Sequence, residues 1–392
     1  MWWDPYNLFR DLKFAAFWRH RLAEKKRRLL FIVGAGFDPR VLGPVKEIVA
    51  ADPAVERRCV AVDMSDGYET DPSATALGQQ NRDGLAKLFP EGALEVRRLV
   101  AMDSDGIRDV SRSTAVLFSD LTDVIEDYTD VVVDISAFPR LVYLTLLNML
   151  LGRLVDPTAP SPLGSETNLH VVYAEAAEID SAIAKYEIET ELAPIQNLMI
   201  RLDEEASLTW PIVWFPVLAE DVFEQLTRIA DRTTPDEICP VLPAQSANPR
   251  RGDNIIENLG ELLFDRFDID NRDILRATES NPFQLYRSLM TTMARYEDSL
   301  KLFGGARFVL SPLSSKGLSI GCLLAAFEKR ALGDRNHVRV GLAHVESKRY
   351  DATKLPENPK YELISAWLTG ECYQLDSAPK TEPPILAIQE PE

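Results

Sequence analysis

The sequence predicts an α/β protein made of two tandem Rossmann-like domains with parallel sheets, related by internal duplication. Short apolar runs rich in β-branched residues alternate with helical spacing along most of the chain, and such alternation implies parallel sheets with right-handed crossovers. Residues 130–152 have the pattern of a buried strand, a polar turn and an apolar helix, and residues 306–328 repeat that order. A chain of 392 residues is also too long for one ordinary core.

The predicted first domain spans residues 29–185. Its five predicted strands are residues 29–33, 58–62, 94–102, 130–134 and 168–174. The VVV run in the fourth strand is typical of a central parallel strand that is buried on both faces. Ligands of open α/β sheets bind outside the carboxyl ends of the strands, so the turns after these strands, including residues 103–106 after the third, are the candidate site.

The first of these turns, GAGFDPR, joins a strand to a helix through Gly34 and Gly36. Glycines let the backbone approach a ligand, and the N–H groups at the start of a helix can face an anion. Asp38 and Arg40 complete the turn. Asp63, at the end of the second strand, can accept hydrogen bonds from ribose hydroxyls. The structural alternatives are a tight turn without a ligand and, for Asp63, a turn-initiating or helix-capping role.

The predicted second domain spans residues 205–372 and follows a loosely patterned acidic stretch around residues 175–208. Its five predicted strands are residues 209–218, 237–243, 274–278, 308–310 and 337–344. The five strand–helix steps of the second domain therefore match the five of the first, although the two domains share a pattern rather than identical residues. Ser280 and Asn281 follow the third strand and are candidate ligand-binding residues.

The turns after the two fourth strands are the ones best adapted to a ligand. Their polar residues are Asp134, Ser136 and Arg140 in the first domain and Ser311, Ser314, Ser315 and Lys316 in the second. Hydroxyls, backbone N–H groups and a cation at the start of a helix form a good phosphate site on local chemistry. The alternative is a serine that caps the helix beside a solvated lysine.

Composition argues against several classes of function. The formal net charge is −18, and generic nucleic-acid binding needs a basic surface. The sequence contains no run of about 18 apolar residues, the length needed to span a bilayer, and no secretory signal. A cytoplasmic location is therefore expected. The four cysteines form no CxxC pair and are expected to be reduced and structural. The four histidines show no metal-ligand spacing.

The two ends of the chain differ from the rest in composition. Residues 1–28 hold eight Lys/Arg against three Asp/Glu and are predicted to form an aromatic and basic helix. Phe14, Phe17 and Trp18 would share one face of it, interrupted by arginines. Such a helix can dock on a protein partner, lie on a membrane surface or cap its own domain. Residues 373–392, rich in Pro and Glu, are predicted to be a disordered tail.

Two short resemblances to known families follow from these turns. DISAFPR at 134–140 resembles the fourth-strand turn of CARF (CRISPR-associated Rossmann-fold) domains, and SPLSSKG at 311–317 is similar to the Gly/Ser/Thr-Lys turn of other members. This resemblance implies paired Rossmann-like lobes, here in one chain, that bind a cyclic or linear oligonucleotide second messenger between their strand ends. GAGFDPR instead resembles the turn of methyltransferases related to leucine carboxyl methyltransferase, and Asp63 then matches the acidic residue that holds a ribose.

We therefore expect a nucleotide-type ligand-binding sensor or accessory subunit of a prokaryotic system such as phage defence. Arg140 and Lys316 would supply the cations for a nucleotide or cyclic oligonucleotide, and residues 1–28 would contact a protein partner. One alternative is an enzyme that cleaves a bound phosphodiester with the help of Lys316 and a serine, or that transfers methyl groups from S-adenosylmethionine bound on residues 34–63. Another is a non-catalytic scaffold whose turns bind nothing.

Overall fold

The fold consists of alternating strands and helices, and the computed structural model describes residues 1–64, 69–70, 72–102, 108–200, 204–332, 337–351, 353–356 and 360–374. The strands are β1 (Asn7–Arg10), β2 (Arg28–Gly34), β3 (Glu56–Asp63), β4 (Glu69–Thr70), β5 (Leu94–Arg98), β6 (Asp130–Asp134), β7 (Asn168–Glu175), β8 (Ala184–Ile188), β9 (Ile212–Val217), β10 (Glu237–Ile238), β11 (Val241–Ala244), β12 (Leu275–Thr278), β13 (Ala306–Pro312), β14 (Val338–Leu342), β15 (Ser347–Asp351) and β16 (Glu362–Thr369). The α-helices are α1 (Leu12–Glu24), α2 (Leu42–Ala51), α3 (Pro72–Ala86), α4 (Val110–Phe118), α5 (Leu121–Val124), α6 (Arg140–Leu154), α7 (Ala177–Ala182), α8 (Phe223–Thr233), α9 (Arg251–Gly260), α10 (Pro282–Leu300) and α11 (Lys316–Leu332).

Two mainly parallel sheets organise the two halves. The first has the order β1-β16-β7-β6-β2-β3-β5, and the second has the order β12-β11-β9-β13-β14 with β10 beside β9. If the five parallel strands that span each half are counted along the chain, both sheets have the order 3-2-1-4-5. The predicted α/β class with parallel sheets is therefore confirmed. Duplication as the origin of the two halves stays a prediction.

Each sheet has one point at which its strand order reverses. In the first sheet this point lies between β2 and β6, and in the second it lies between β9 and β13. The carboxyl ends of such a strand pair diverge into a crevice, which is where open α/β sheets bind ligands. The turns predicted as best adapted to a ligand, those after β6 and β13, lie at these two points.

Two central helices, α6 and α11, join the halves by packing against each other. Both are buried around most of their circumference, because each lies between its own sheet and the other half, and a helix covered on all sides is apolar all round. One continuous hydrophobic cluster includes Val133 and Leu147 of the first half and Phe215 and Leu310 of the second. The halves therefore share a core.

The last strand of the chain returns to the first sheet. The sequence predicts a second domain that runs to residue 372, whereas β16 pairs antiparallel with β7, and β1 pairs antiparallel with β16. Strand partners of this kind are set by contacts between distant segments, which leave no local pattern in the sequence. The loosely patterned stretch around 175–208 also contributes a strand, β8, to a small third sheet of order β4-β15-β8.

The N-terminal segment begins with a strand, β1, rather than with one continuous helix, and α1 follows. Phe14 and Trp18 are fully buried in the first half. Arg21, which interrupts their apolar stripe, is also buried, and its Nε donates a hydrogen bond to Asp130 Oδ1 over 2.7 Å. All three side chains thus make buried contacts within the protein. Docking of a protein partner on residues 1–28 stays a prediction. The exposed side chains of this segment include Leu12, which is 88% exposed.

Other expectations concern the cysteines, membrane-spanning helices, metal sites and two segments of the chain. Cys59, Cys239 and Cys322 are buried and are not in disulfides. Within the described ranges, no helix has both the length and the apolar character needed to cross a bilayer, and no three His, Cys, Asp or Glu side chains are grouped so as to hold a metal ion. Residues 103–106, and residues 375–392 of the predicted tail, lie outside the described part of the chain.

Candidate ligand-binding cleft

The strand ends of the two halves face each other across one cleft of about 1470 Å³. Small-molecule pockets typically measure roughly 300–1,000 Å³, so this cleft is large enough for a ligand of more than one nucleotide. Ten predicted site residues line it: Gly36, Asp38, Arg40, Asp63, Ser136, Arg140, Ser280, Ser314, Ser315 and Lys316. The structure therefore brings residues of both halves together at a single site.

The centre of the cleft is formed by the first residues of the two central helices. Arg140, at the start of α6, donates a hydrogen bond from Nη2 to the carbonyl oxygen of Ser314 in the other half. Lys316, at the start of α11, lies with its Nζ 3.5 Å from the carbonyl oxygen of Phe138 in the first half. The same Nζ is 5.7 Å from the centre of the Tyr143 ring. Each cation thus reaches the turn of the opposite half.

Several buried polar atoms at this centre have no hydrogen-bond partner among the described residues. The buried Arg140 Nε and Ser314 Oγ form no hydrogen bond with any residue that the structure describes, and Ser314 is only 5% exposed. Buried polar groups are nearly always hydrogen-bonded, so a ligand is one explanation for such exceptions. By contrast, the Ser136 hydroxyl accepts a hydrogen bond from the Ala174 N–H at 2.9 Å and helps to hold β7 in place.

Asp134 lies beneath the cleft rather than in it. Its Oδ1 accepts a hydrogen bond of 2.8 Å from the Ser136 N–H, which shapes the turn after β6. Its Oδ2 is buried and has no hydrogen-bond partner among the described residues. Complete burial raises the Asp134 pKa to about 7, against the lowering effect of the Ser136 hydrogen bonds and the Lys316 charge. Asp134 therefore supports the turn and titrates near neutrality.

The glycine turn after β2 is closed by its own ion pair. Asp38 caps the short 3-10 helix by accepting a hydrogen bond from the Arg40 N–H, and its carboxylate also binds the Arg40 guanidinium at 2.6 Å. Asn81 donates hydrogen bonds to the carbonyl oxygens of Gly36 and Asp38 at 2.8 and 3.1 Å. The turn is thus held firmly, and the charge of Arg40 is neutralised locally.

Gly34 permits close packing of two turns. A Cβ on Gly34 would lie 3.2 Å from the Ala137 carbonyl carbon and 3.2 Å from the Phe138 ring. These atoms belong to the turn after β6, so the glycine lets the two loops at the first reversal point touch each other. Gly34 does not line the cleft.

Two further predicted site residues serve the fold. Asn281 caps α10 by accepting hydrogen bonds from the next two N–H groups of the helix, and its Nδ2 donates to the Tyr6 hydroxyl at 2.8 Å. The Ser311 hydroxyl accepts a hydrogen bond from Trp214 Nε1 at 2.8 Å and is completely buried. Neither residue lines the cleft, because both side chains are occupied within the protein.

Two buried residues after β14, His344 and Glu346, also line the cleft. His344 Nε2 is 3.4 Å from Glu346 Oε2, and the Tyr350 hydroxyl donates to Glu346 Oε1 at 3.2 Å. Burial acts to raise the Glu346 pKa, but the hydrogen bond and charge of His344, with the charge of Arg140, outweigh it and lower the pKa. Glu346 therefore contributes a negative charge close to Arg140.

Ion pairs surround the centre of the cleft. Arg251 binds Glu220 at 3.1 Å and also contacts Glu279. Arg10 binds Glu362 and the Ser280 hydroxyl, which ties the first sheet to the second half. Among the residues that the structure describes, ten carboxylates and seven Lys/Arg side chains line the cleft. An extended polyanion is disfavoured by this balance, whereas a ligand with few phosphates and many hydrogen-bond donors suits it.

Asp63 is the remaining carboxylate of the predicted site. It lines the cleft at the end of β3 and lies 3.7 Å from the Arg82 guanidinium of α3. Because β3 pairs with β2 in parallel, Asp63 and Gly36 follow adjacent strand ends. Asp63 thus has the position expected of a residue that accepts hydrogen bonds from ribose hydroxyls beside a glycine turn.

Comparisons with known proteins add no function. No protein-family model matches the chain, and no curated protein matches it. Among the solved structures that match, a universal stress protein of Pseudomonas aeruginosa aligns at 9% identity over 82% of this chain and 94% of its own, with a TM-score of 0.21. The Streptomyces glycosyltransferase SsfS6 aligns at 13% identity over 76% of this chain and 86% of its own, with a TM-score of 0.18. At these TM-scores neither likeness carries an argument.

Proposed function

We propose that the cleft binds a nucleotide-type ligand and that the chain is a sensor or accessory subunit that responds to it. The observation that carries this proposal is that Arg140 and Lys316, at the reversal points of two facing sheets, each contact the turn of the opposite half. Charged donors at the first turn of a helix favour phosphate oxygens. Arg140 Nε and Ser314 Oγ, which have no hydrogen-bond partner in the described part of the chain, supply further donors at the same place.

The charges of the cleft limit the kind of nucleotide. A phosphate belongs at the centre, beside Arg140 and Lys316, whereas Asp63 suits ribose hydroxyls at one side. The excess of carboxylates over cations disfavours a ligand with a long chain of phosphates. A mono- or dinucleotide, linear or cyclic, fits this balance better than a nucleoside triphosphate does.

A sensing role follows from the position of the cleft. A ligand at its centre touches both halves at once, and a ligand that prefers one arrangement of the halves shifts their equilibrium toward it. A setting in phage defence rests only on the resemblance of the 134–140 and 311–317 turns to CARF domains.

The proposal is tested by thermal unfolding with millimolar AMP or the linear dinucleotide pApA. A ligand present at about 100 times its Kd stabilises the native state by about 2.7 kcal/mol, which shifts the midpoint upward by a few degrees. We expect this shift for the wild type and its loss in Arg140→Met, which removes the charge but keeps much of the apolar stem. An equal shift in the variant would exclude Arg140 from the site.

Methyl transfer is a second candidate, favoured by one observation. Gly36 and Asp63 follow adjacent parallel strands and both line the cleft, as the residues that hold S-adenosylmethionine would. This function predicts stabilisation by S-adenosylmethionine that Asp63→Ala abolishes and Arg140→Met leaves intact. No response to S-adenosylmethionine would exclude it.

A further inference from the structure

The second half of the cleft has an apolar lining, here called the slot, to which none of the predicted site residues belongs. It consists of Ala219, Val222, Leu313 and Val345, all of which line the cleft. Val222, Leu313 and Val345 belong to one buried hydrophobic cluster, against which Ala219 packs. A concave apolar surface with a few well-placed polar groups is the usual form of a small-molecule site.

A buried glutamine accompanies this slot. Gln225 lies one turn along α8 from Val222, is 4% exposed and lines the cleft. Its Oε1 is buried and accepts no hydrogen bond from the described residues. An unsatisfied buried acceptor is destabilising, and the amide gains a partner if a ligand in the slot supplies an N–H group.

We propose that this slot binds a planar ring that carries an amino group, as in an amino-substituted nucleobase, and that Gln225 selects for the amino group. The apolar side chains would pack against the ring, while Gln225 Oε1 would accept a hydrogen bond from the amino N–H. This inference rests on the proposed nucleotide-binding function and adds the identity of the group bound in the second half. A site built to hydrogen-bond one group discriminates against an analogue that lacks it.

The experiment is isothermal titration of the full chain with two probes. One is AMP, and the other is purine riboside 5′-monophosphate, which has the same ring system without the amino group. The wild type should bind AMP at least about tenfold more tightly, as expected for one buried hydrogen bond. In Gln225→Leu the two affinities should become equal, because AMP alone loses a contact. Gln225→Met, closer in length to the native side chain, should behave in the same way.

A matched control and a structural readout accompany these variants. Gln79→Leu makes the same change on α3 at a residue that does not line the cleft, and it should keep the preference for AMP. The thermal midpoint of Gln225→Leu should equal or exceed that of the wild type, since an unsatisfied buried oxygen is removed. A marked fall in midpoint for both Gln225 variants would show a structural role and overturn the assignment.

The outcomes separate this inference from the function on which it rests. Equal wild-type affinity for the two probes, or a preference that survives Gln225→Leu, overturns the role of Gln225 while nucleotide binding stands. If the wild type binds neither probe, the proposed function fails, and the assignment of the slot fails with it.

Discussion

Arg140 and Lys316 exchange contacts between the two halves of the protein. Arg140 donates to the carbonyl oxygen of Ser314, and Lys316 lies 3.5 Å from the carbonyl oxygen of Phe138. Each cation begins the central helix of its own half and reaches the turn of the other. The charge at the centre of the cleft therefore depends on the docking of both halves, and the proposed ligand binding would be coupled to their arrangement.

Reversal of the charge at residue 316 tests this centre. Lys316→Glu should weaken the binding of pApA by more than about 100-fold, since a carboxylate would repel the phosphate and leave the ligand one cation short. Lys301→Glu makes the same change at a lysine that is 64% exposed and does not line the cleft, so it should leave the affinity unchanged. Titration calorimetry measures both, and equal affinities for the two variants would remove Lys316 from the site.

The approach of the halves at the cleft requires a glycine at the second position of α11. A Cβ on Gly317 would lie 2.7 Å from the Tyr173 hydroxyl and 3.1 Å from the Glu279 carbonyl oxygen. Gly317→Ala should therefore lower the free energy of unfolding by about 1–3 kcal/mol. Gly152 of α6 has open space at its Cβ position, so Gly152→Ala should raise that energy by about 0.5–1 kcal/mol. Urea unfolding distinguishes them, and a Gly317→Ala protein as stable as Gly152→Ala would refute the close approach.

A buried ion pair fixes α1 to the first sheet. The Arg21 guanidinium is 2.6 Å from Asp130, and the side chains are 2% and 0% exposed. Arg21→Met removes the guanidinium nearest to Asp130, which keeps contacts with His170 at 3.1 Å and Arg27 at 3.8 Å. The variant should therefore cost about 3 kcal/mol of stability, the lower end of the cost of breaking a buried pair. Arg28→Met breaks a pair with Glu56 whose side chains are 45% and 52% exposed and should cost less than about 1 kcal/mol. Similar losses in the two urea titrations would contradict the importance of burial at Arg21.

The raised pKa of Asp134 predicts a particular dependence of stability on pH. In the folded protein burial raises the Asp134 pKa to about 7, whereas an unfolded aspartate titrates near 3.9. Below about pH 4 the carboxyl is protonated in both states. Between about pH 4 and 7 the unfolded chain ionises first, so the contribution of this group to stability falls as pH rises.

Asp134→Asn removes this dependence and keeps a side-chain oxygen for the Ser136 N–H. Between pH 5 and pH 8 the wild type should lose about 2–3 kcal/mol more stability than the variant. Urea unfolding at both pH values gives the comparison. Parallel changes in the two proteins would show that the Asp134 pKa lies near its ordinary value.

Much of the fold could be predicted because its strands and central helices leave local patterns. The VVV run of β6 and the all-round apolar character of α6 follow directly from burial on every side. The return of β16 to the first sheet could not be predicted, because its partner β7 lies almost 200 residues earlier in the chain. No local pattern records such a pairing.

The candidate site was predictable only in part. Arg140 and Lys316 could be identified because a cation at a strand-to-helix turn is a local feature. The role of Ser311 depends on Trp214, nearly 100 residues away, so no local pattern indicates that its hydroxyl is occupied. Gln225 did leave a signal, since it follows Val222 by three residues on the buried stripe of α8. A polar residue at an apolar position of a helix is a candidate ligand-binding residue.

The most direct test of a shared nucleotide cleft is native mass spectrometry of the wild type and Lys316→Glu, purified in parallel from the cells that naturally produce the protein. Denaturation then releases any bound small molecule for identification. We predict that the wild type carries a nucleotide and that Lys316→Glu carries none. A wild type without a bound nucleotide that also fails to bind added pApA would contradict the account, as would equal occupancy in the two proteins.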